Sequence, residues 1–254
     1  MKSWSPPRIA IPLTAAAALI LGCGGTGTPS AQPPSQLERI EAGLKAEGAH
    51  TPFMPADLPG IFLDESMVPE DNPITPAKVA LGKQLYHDPR LSRDGSISCA
   101  SCYHPTKGWT DQAPVSTGIR GQKGGRSAPT VMNRIMGFSQ FWDGRAATLE
   151  EQAVGPIGNP IEMGFTVEEA AERLKGIPGY AVQFEKVFGG PPTPDRIGKA
   201  IATFERTVLA GGAPNDYYES AKVFLDSEPD PDEEPEDRAR REEALAGWQA
   251  HEMS

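Results

Sequence analysis

Cys99 and Cys102 are the residues of this sequence best placed to do chemistry. They lie in Ser98-Cys99-Ala100-Ser101-Cys102-Tyr103-His104-Pro105. Two thiols at this spacing serve one of three purposes: a redox dithiol, half of a metal site, or covalent attachment to the two vinyl groups of a haem. The third also needs an imidazole directly after the second Cys to ligate iron. Here Tyr103 holds that place, and the imidazole comes one residue late, at His104. A zinc site needs two more ligands, and besides carboxylates the chain offers only His50, His87, His104 and His251. A thioredoxin-like dithiol needs a βαβ setting. Spacing alone leaves all three open.

The elements that must hold these groups read as helices. Thr193 and Pro194 cap and open a helix over 194–209, with Ile197, Ala200, Ile201, Phe204 and Val208 on one face. Thr166-Val-Glu-Glu is a capping box for a helix to about Leu174, and Thr148-Leu-Glu-Glu opens a shorter one. Thr75-Pro76 starts a helix to Tyr86 with Val79 and Leu85 inward. Tyr180, Phe184, Val187 and Phe188 make a fourth apolar face, and 238–249 reads as a terminal helix. No alternating strand pattern and no internal repeat occurs. The stretch 88–147 is mostly Gly, Pro, Ser, Thr and Asp around isolated aromatics, and a loop that long ordinarily wraps something. The fold class is therefore all-α, with long irregular loops around a cofactor. The 254 residues, with 27 Gly and 26 Pro, suffice for one large domain or two small ones.

The N-terminus reads as a targeting segment. Lys2 and Arg8 precede an apolar run over 9–21, which is too short to cross a bilayer comfortably and fits a signal peptide over 1–22. Ile20-Leu21-Gly22-Cys23 resembles a lipoprotein cleavage box, making Cys23 the expected lipid anchor of a periplasmic protein. Residues 23–59 read as a flexible tether, 60–225 as the main domain and 226–254 as an acidic linker. With Cys23 set aside, the two remaining cysteines cannot build a disulfide framework. The formal charge is −10, and residues 226–243 alone carry ten acidic and three basic residues. No basic stripe is present to neutralise phosphates, so no nucleic-acid partner is expected.

The residues around the thiols narrow the choice. Leu81-Gly-Lys-Gln-Leu-Tyr-His-Asp-Pro-Arg-Leu-Ser, Ile97-Ser-Cys-Ala-Ser-Cys102 and Gly108-Trp-Thr-Asp111 closely resemble the bacterial di-haem cytochrome c peroxidase / MauG family. Arg126-Ser-Ala-Pro-Thr-Val-Met-Asn133, Gln140-Phe-Trp-Asp-Gly-Arg145, Leu149-Glu-Glu-Gln-Ala153, Gly155-Pro-Ile-Gly-Asn-Pro-Ile-Glu-Met163, Ile177-Pro-Gly-Tyr180 and Ala200-Ile-Ala-Thr-Phe-Glu-Arg206 follow in the family's order. The resemblance implies a cytochrome c-like haem domain, the peroxidatic one of the family's two, with residues 244–250 leading toward a second domain whose CxxCH this sequence does not contain.

The resemblance also implies roles. Haem c would be held by Cys99 and Cys102, with Tyr103 or His104 as iron ligand. Glu162 would be the acid/base that moves a proton during peroxide reduction, and Gln152 would hold peroxide or water by hydrogen bonds. Trp142 matches the indole between the two haems, and Arg126 and Arg145 match propionate partners. The implied reaction is reduction of hydrogen peroxide with electrons from a small c-type cytochrome or cupredoxin. The alternative is a truncated or degenerate relative that only binds haem, transfers electrons or is inactive, which the Tyr at position 103 favours. Gly118-Ile119-Arg120 lies where some members carry a distal His, and Ser127 stands where the family has a calcium-ligating Asn.

Overall fold

The computed structural model describes residues 33–225 and 227–252, so the expected signal peptide and Cys23 lie outside the described residues. Nine helices run through the described chain: α1 (Gln36–Lys45), α2 (Pro76–Tyr86), the single turn α3 (Cys99–Cys102), α4 (Leu149–Gly158), α5 (Val167–Lys175), α6 (Pro178–Phe188), α7 (Pro194–Glu205), α8 (Pro214–Leu225) and α9 (Pro235–Glu252). Among the described residues pairing of the strand type is confined to four isolated bridges, so the fold is all-α. None of these helices is long and apolar enough to cross a membrane.

The helix starts follow from the caps. The hydroxyls of Thr75, Thr148 and Thr193 accept from the amides of Lys78, Glu151 and Arg196, and Thr166 closes a capping box with Glu169. Ends are less regular. α7 stops at Glu205, short of the expected 209, because the next backbone groups are claimed elsewhere. The Asn133 side chain donates to Ala210 O and accepts from Ala210 N, both at 2.8 Å, and the Asn133 amide donates to Val208 O. Val208 remains buried beyond the helix. Two helices were not expected. α1, capped by Ser35, occupies part of the 23–59 segment read as a flexible tether, and it lies against α6. α8 packs on α9 through Tyr218–Trp248 and Tyr217–His251 ring contacts, and α9 itself begins inside the acidic linker.

α7 is the centre of the core. Ile197, Ala200 and Ile201 are fully buried against Leu81 and Leu85 of α2. α2 approaches so closely that a β-carbon at Gly82 would lie 1.9 Å from the Ala200 carbonyl oxygen. A buried polar network pins the other side of α7 to α4. Arg206, 4% exposed, donates to Glu150 Oε1 at 2.7 Å and Oε2 at 3.0 Å. Asn72, fully buried, donates to Glu150 Oε1 and Lys199 O and accepts from Lys78 Nζ at 2.8 Å. Burial alone would raise the Glu150 carboxyl, but the Arg206 hydrogen bonds and charge hold it below its ordinary value.

The contact at Gly82 gives a prediction whose sign opposes helix propensity. Alanine ordinarily gains roughly 1 kcal/mol over glycine inside a helix. Here Gly82→Ala is expected to destabilise by about 1–3 kcal/mol, because the α2–α7 pair must separate. Denaturant unfolding checks this, and a stabilised variant refutes the close packing.

Candidate functional site

α3 places both thiols on one wall. The Ser98 amide donates to Ser101 Oγ at 3.0 Å and the Ser101 amide to Ser98 O at 3.0 Å, closing the turn. Residues three apart on a helical turn share a face, and Cys99 and Cys102 both line a cavity of about 640 Å³. Both thiols are free, and burial raises each above its ordinary value despite a hydrogen bond between Cys102 and Ser116.

Position 103 completes that wall. The Tyr103 amide still bonds to Cys99 O, while its carbonyl accepts the Tyr86 hydroxyl at 3.0 Å, so the backbone leaves the turn here. The Tyr103 side chain lines the cavity, with its phenol pushed up by burial and by the charge of Glu205. His104 is turned away. Its amide donates to Thr110 O, its exposed ring places Nδ1 2.9 Å from Thr106 Oγ1, and it caps the following 3-10 turn. Of the two expected iron ligands, then, Tyr103 lines the cavity, while the backbone pairing with Thr110 holds His104 outside it.

Glu162 and Gln152 reach the same space from a later part of the chain. Gln152 is buried on α4. Glu162 follows the end of α4, where its amide donates to Asn159 O at 3.1 Å and its carbonyl accepts from the Ile119 amide at 2.8 Å. Burial raises the Glu162 carboxyl above its ordinary value, against the opposing effects of the Arg145 charge and a hydrogen bond from Asn159. That loop is packed backbone to backbone: a β-carbon at Gly118 would lie 1.9 Å from Ile161 O.

The rim carries charge and strained aromatics. Asp143 accepts from Arg126 at 2.6 Å and Arg145 at 2.9 Å, and these two guanidiniums hold its carboxyl far below its usual range. Arg145 also lies 3.5 Å over the Phe141 ring. Phe141 and Trp109 are both in the left-handed region, at φ 65 and 57, a conformation that costs on the order of 1–3 kcal/mol for such residues. Trp142 lines the cavity yet is 65% exposed, its indole nitrogen donating to Ser127 O at 2.9 Å. Trp109 instead packs edge-on against Tyr86, with ring centroids 5.8 Å apart.

One lining residue was not among the expected site residues. Glu205, the last residue of α7, is 2% exposed, and its Oε2 has no hydrogen-bond partner. Burial pushes its carboxyl up to about 8. A signal existed in the sequence: Glu205 lies four residues after Ile201, on the apolar stripe of α7, where an acid is costly.

The cavity thus brings together Cys99, Cys102, Tyr103, Arg126, Trp142, Arg145, Gln152 and Glu162, and leaves His104 out. Among the described residues no group of three or more His, Cys, Asp or Glu is disposed to hold a metal ion.

The profile of the di-haem cytochrome c peroxidase family matches residues 76–223. The chain belongs to the di-haem cytochrome c peroxidase family. It is 46% identical over 152 residues to the methylamine utilization protein MauG of Methylorubrum extorquens, covering 59% of this chain and 43% of that protein. It is 44% identical over 171 residues to the cytochrome c551 peroxidase of Nitrosomonas europaea, covering 63% and 51%. The chain spans about half the length of these curated relatives. A crystal structure of a MauG-like protein associated with microbial copper homeostasis aligns with TM-score 0.56 and 31% identity, over 65% of this chain and 48% of that one. The fold is therefore an all-α, cytochrome c-like domain, and c-type haem is the cofactor this family implies.

Two predictions follow from the packing. Gly118→Ala is expected to push the Ile161–Glu162 backbone outward. Amide exchange at Ile119, which donates to Glu162 O, should accelerate while Leu85 in α2 stays protected; unchanged exchange at Ile119 refutes the contact. The second concerns Glu205 in the haem-free chain. Unfolded, this carboxyl releases its proton at the ordinary value of 4.5, whereas folded it keeps it to about 8. Stability is thus lost as pH rises through that window. The melting temperature should fall between pH 5 and 8, and Glu205→Gln should flatten the slope.

Proposed function

We propose that this chain is a c-type haem domain that takes part in reducing hydrogen peroxide to water, as the named cytochrome c peroxidases among its relatives suggest. The observation that carries this reading is one cavity whose wall holds two free thiols, the side chain that follows the second of them, a carboxyl raised by burial and a buried amide. The residues fit a haem. The cavity of about 640 Å³ falls within the roughly 300–1,000 Å³ of ordinary cofactor sites, and Cys99 and Cys102 would hold the group covalently. Tyr103 would offer its phenolic oxygen to the iron, and Arg126 and Arg145 would pair with the haem carboxylates in place of Asp143. When bound, haem supplies the electron exchange that breaking an O–O bond requires.

The chain's own residues do the rest. Glu162 holds its proton more firmly than an ordinary carboxyl, so it is suited to accept a proton from one peroxide oxygen and deliver it to the other. Gln152 orients peroxide through its amide. Overall, peroxide takes up two protons and two electrons and yields two waters. The electrons are assigned to a small c-type cytochrome or cupredoxin, and the compartment to the periplasm, with Cys23 as lipid anchor. Trp142, exposed beside the cavity, is a suitable entry point for an electron. A second reading, in which the chain binds haem or transfers electrons without turnover, is favoured by one observation: a phenol, not an imidazole, faces the cavity after the second thiol.

The test is a haem stain on a denaturing gel, with an absorption spectrum and peroxide turnover, on protein matured with a c-type assembly system. Covalent haem is expected. Glu162→Gln should keep the haem and lose turnover by about 10²–10⁴-fold. No haem overturns the proposal, and haem without turnover in the parent chain selects the second reading.

A further inference from the structure

Glu205 has no structural task that accounts for it. It is 2% exposed, at the end of α7, and Oε2 has no partner. The adjacent Arg206 gives both of its terminal nitrogens to Glu150, and although its charge acts on Glu205, its own Nε is likewise without a partner, so the two buried groups do not bond to each other. A buried carboxyl without a partner costs stability, so a chain that keeps one has another use for it. Its neighbours show which. Glu205 lines the main cavity with Cys99 and Tyr103, and it shares with Tyr103 and Gln152 a small adjoining void of about 20 Å³. Its charge is felt at Tyr103, Cys99 and Tyr86.

We propose that Glu205 is the positioning residue for the side chain at position 103, hydrogen-bonding to it once the cavity is filled. This rests on the haem reading above. A side chain that ligates a metal is ordinarily held by a second partner that fixes its orientation and tunes its donor strength. The Glu205 carboxyl is the unspent group within this wall that can do so. With Tyr103 in place it donates its O–H to the phenolic oxygen and withdraws density from it. With an imidazole in place it accepts the ring N–H and adds density to the ring.

That difference gives a test in which the sign decides. Glu205→Leu is made in the full chain and in the Tyr103→His chain, and the reduction potential and absorption spectrum of each haem form are compared with its parent. In the Tyr103 chain, loss of the donated hydrogen bond strengthens the phenolic oxygen as a donor, so the potential is expected to fall. In the Tyr103→His chain, loss of the acceptor weakens the imidazole, so it is expected to rise. Where only one of the two chains carries haem, its own sign decides. A second readout needs no haem: in the haem-free chain Glu205→Leu is expected to raise the melting temperature at pH 8, because an unpartnered acid has been removed. A lower melting temperature means the carboxyl is structural and overturns the proposal. So does an unchanged or same-direction shift of potential in the two haem-bearing chains. Absence of haem from both parents overturns the haem reading itself and this inference with it.

Discussion

The ion pair between Glu150 and Arg206 is the interaction on which the site depends. It joins the first turn of α4 to the end of α7, and Asn72, from the segment before α2, and Lys78, in the first turn of α2, complete it. Arg206 is nearly inaccessible, so removing either partner would leave a buried charge uncompensated, a loss of about 3–5 kcal/mol in comparable cases. More is fixed than stability. α4 carries Gln152 into the cavity, and the end of α7 carries Glu205 into the same wall. A pair that sets the register of those two helices also sets the distance between two functional groups far apart in sequence.

Around this framework the cavity is built from chain with little regular structure. The segment between α3 and α4 is held by isolated bridges, 3-10 turns and side-chain bonds such as Trp142 to Ser127 O. Phe141 and Trp142 line the cavity while Trp109 packs on Tyr86, and Phe141 and Trp109 sit in left-handed backbone. Such strain persists where the surroundings over-determine it. Regular helices supply rigidity, and the loops supply side chains from many directions.

Much of the frame was legible in the sequence, for a local reason. Thr before Pro, or Thr three residues before Glu, specifies a helix start through one hydrogen bond, so the starts of α2, α4, α5 and α7 could be read directly. The end of α7 could not, because Asn133, distant in sequence, decides it. α1 and α8 were missed because they bury almost nothing: α1 has no buried residue, and α8 has only Ala221. Leu37, Ile40 and Leu44 do share one stripe of α1, but it is short and only partly covered, so the periodic signal is weak. Of the expected site, eight residues share the cavity, while His104 does not, since one backbone pairing to Thr110 decides which of two adjacent side chains faces inward. Glu205 was legible as an acid on an apolar stripe, but its meaning required the cavity.

The burial of the two thiols has a consequence in time. A thiolate, not a thiol, is the nucleophile, and the surroundings of both thiols raise them above their ordinary values. The wall is completed by residues made much later than Cys102, the last of them Glu205. In the complete wall both thiols are half-buried. The order of the chain thus puts the two nucleophiles first and the residues that half-cover them last.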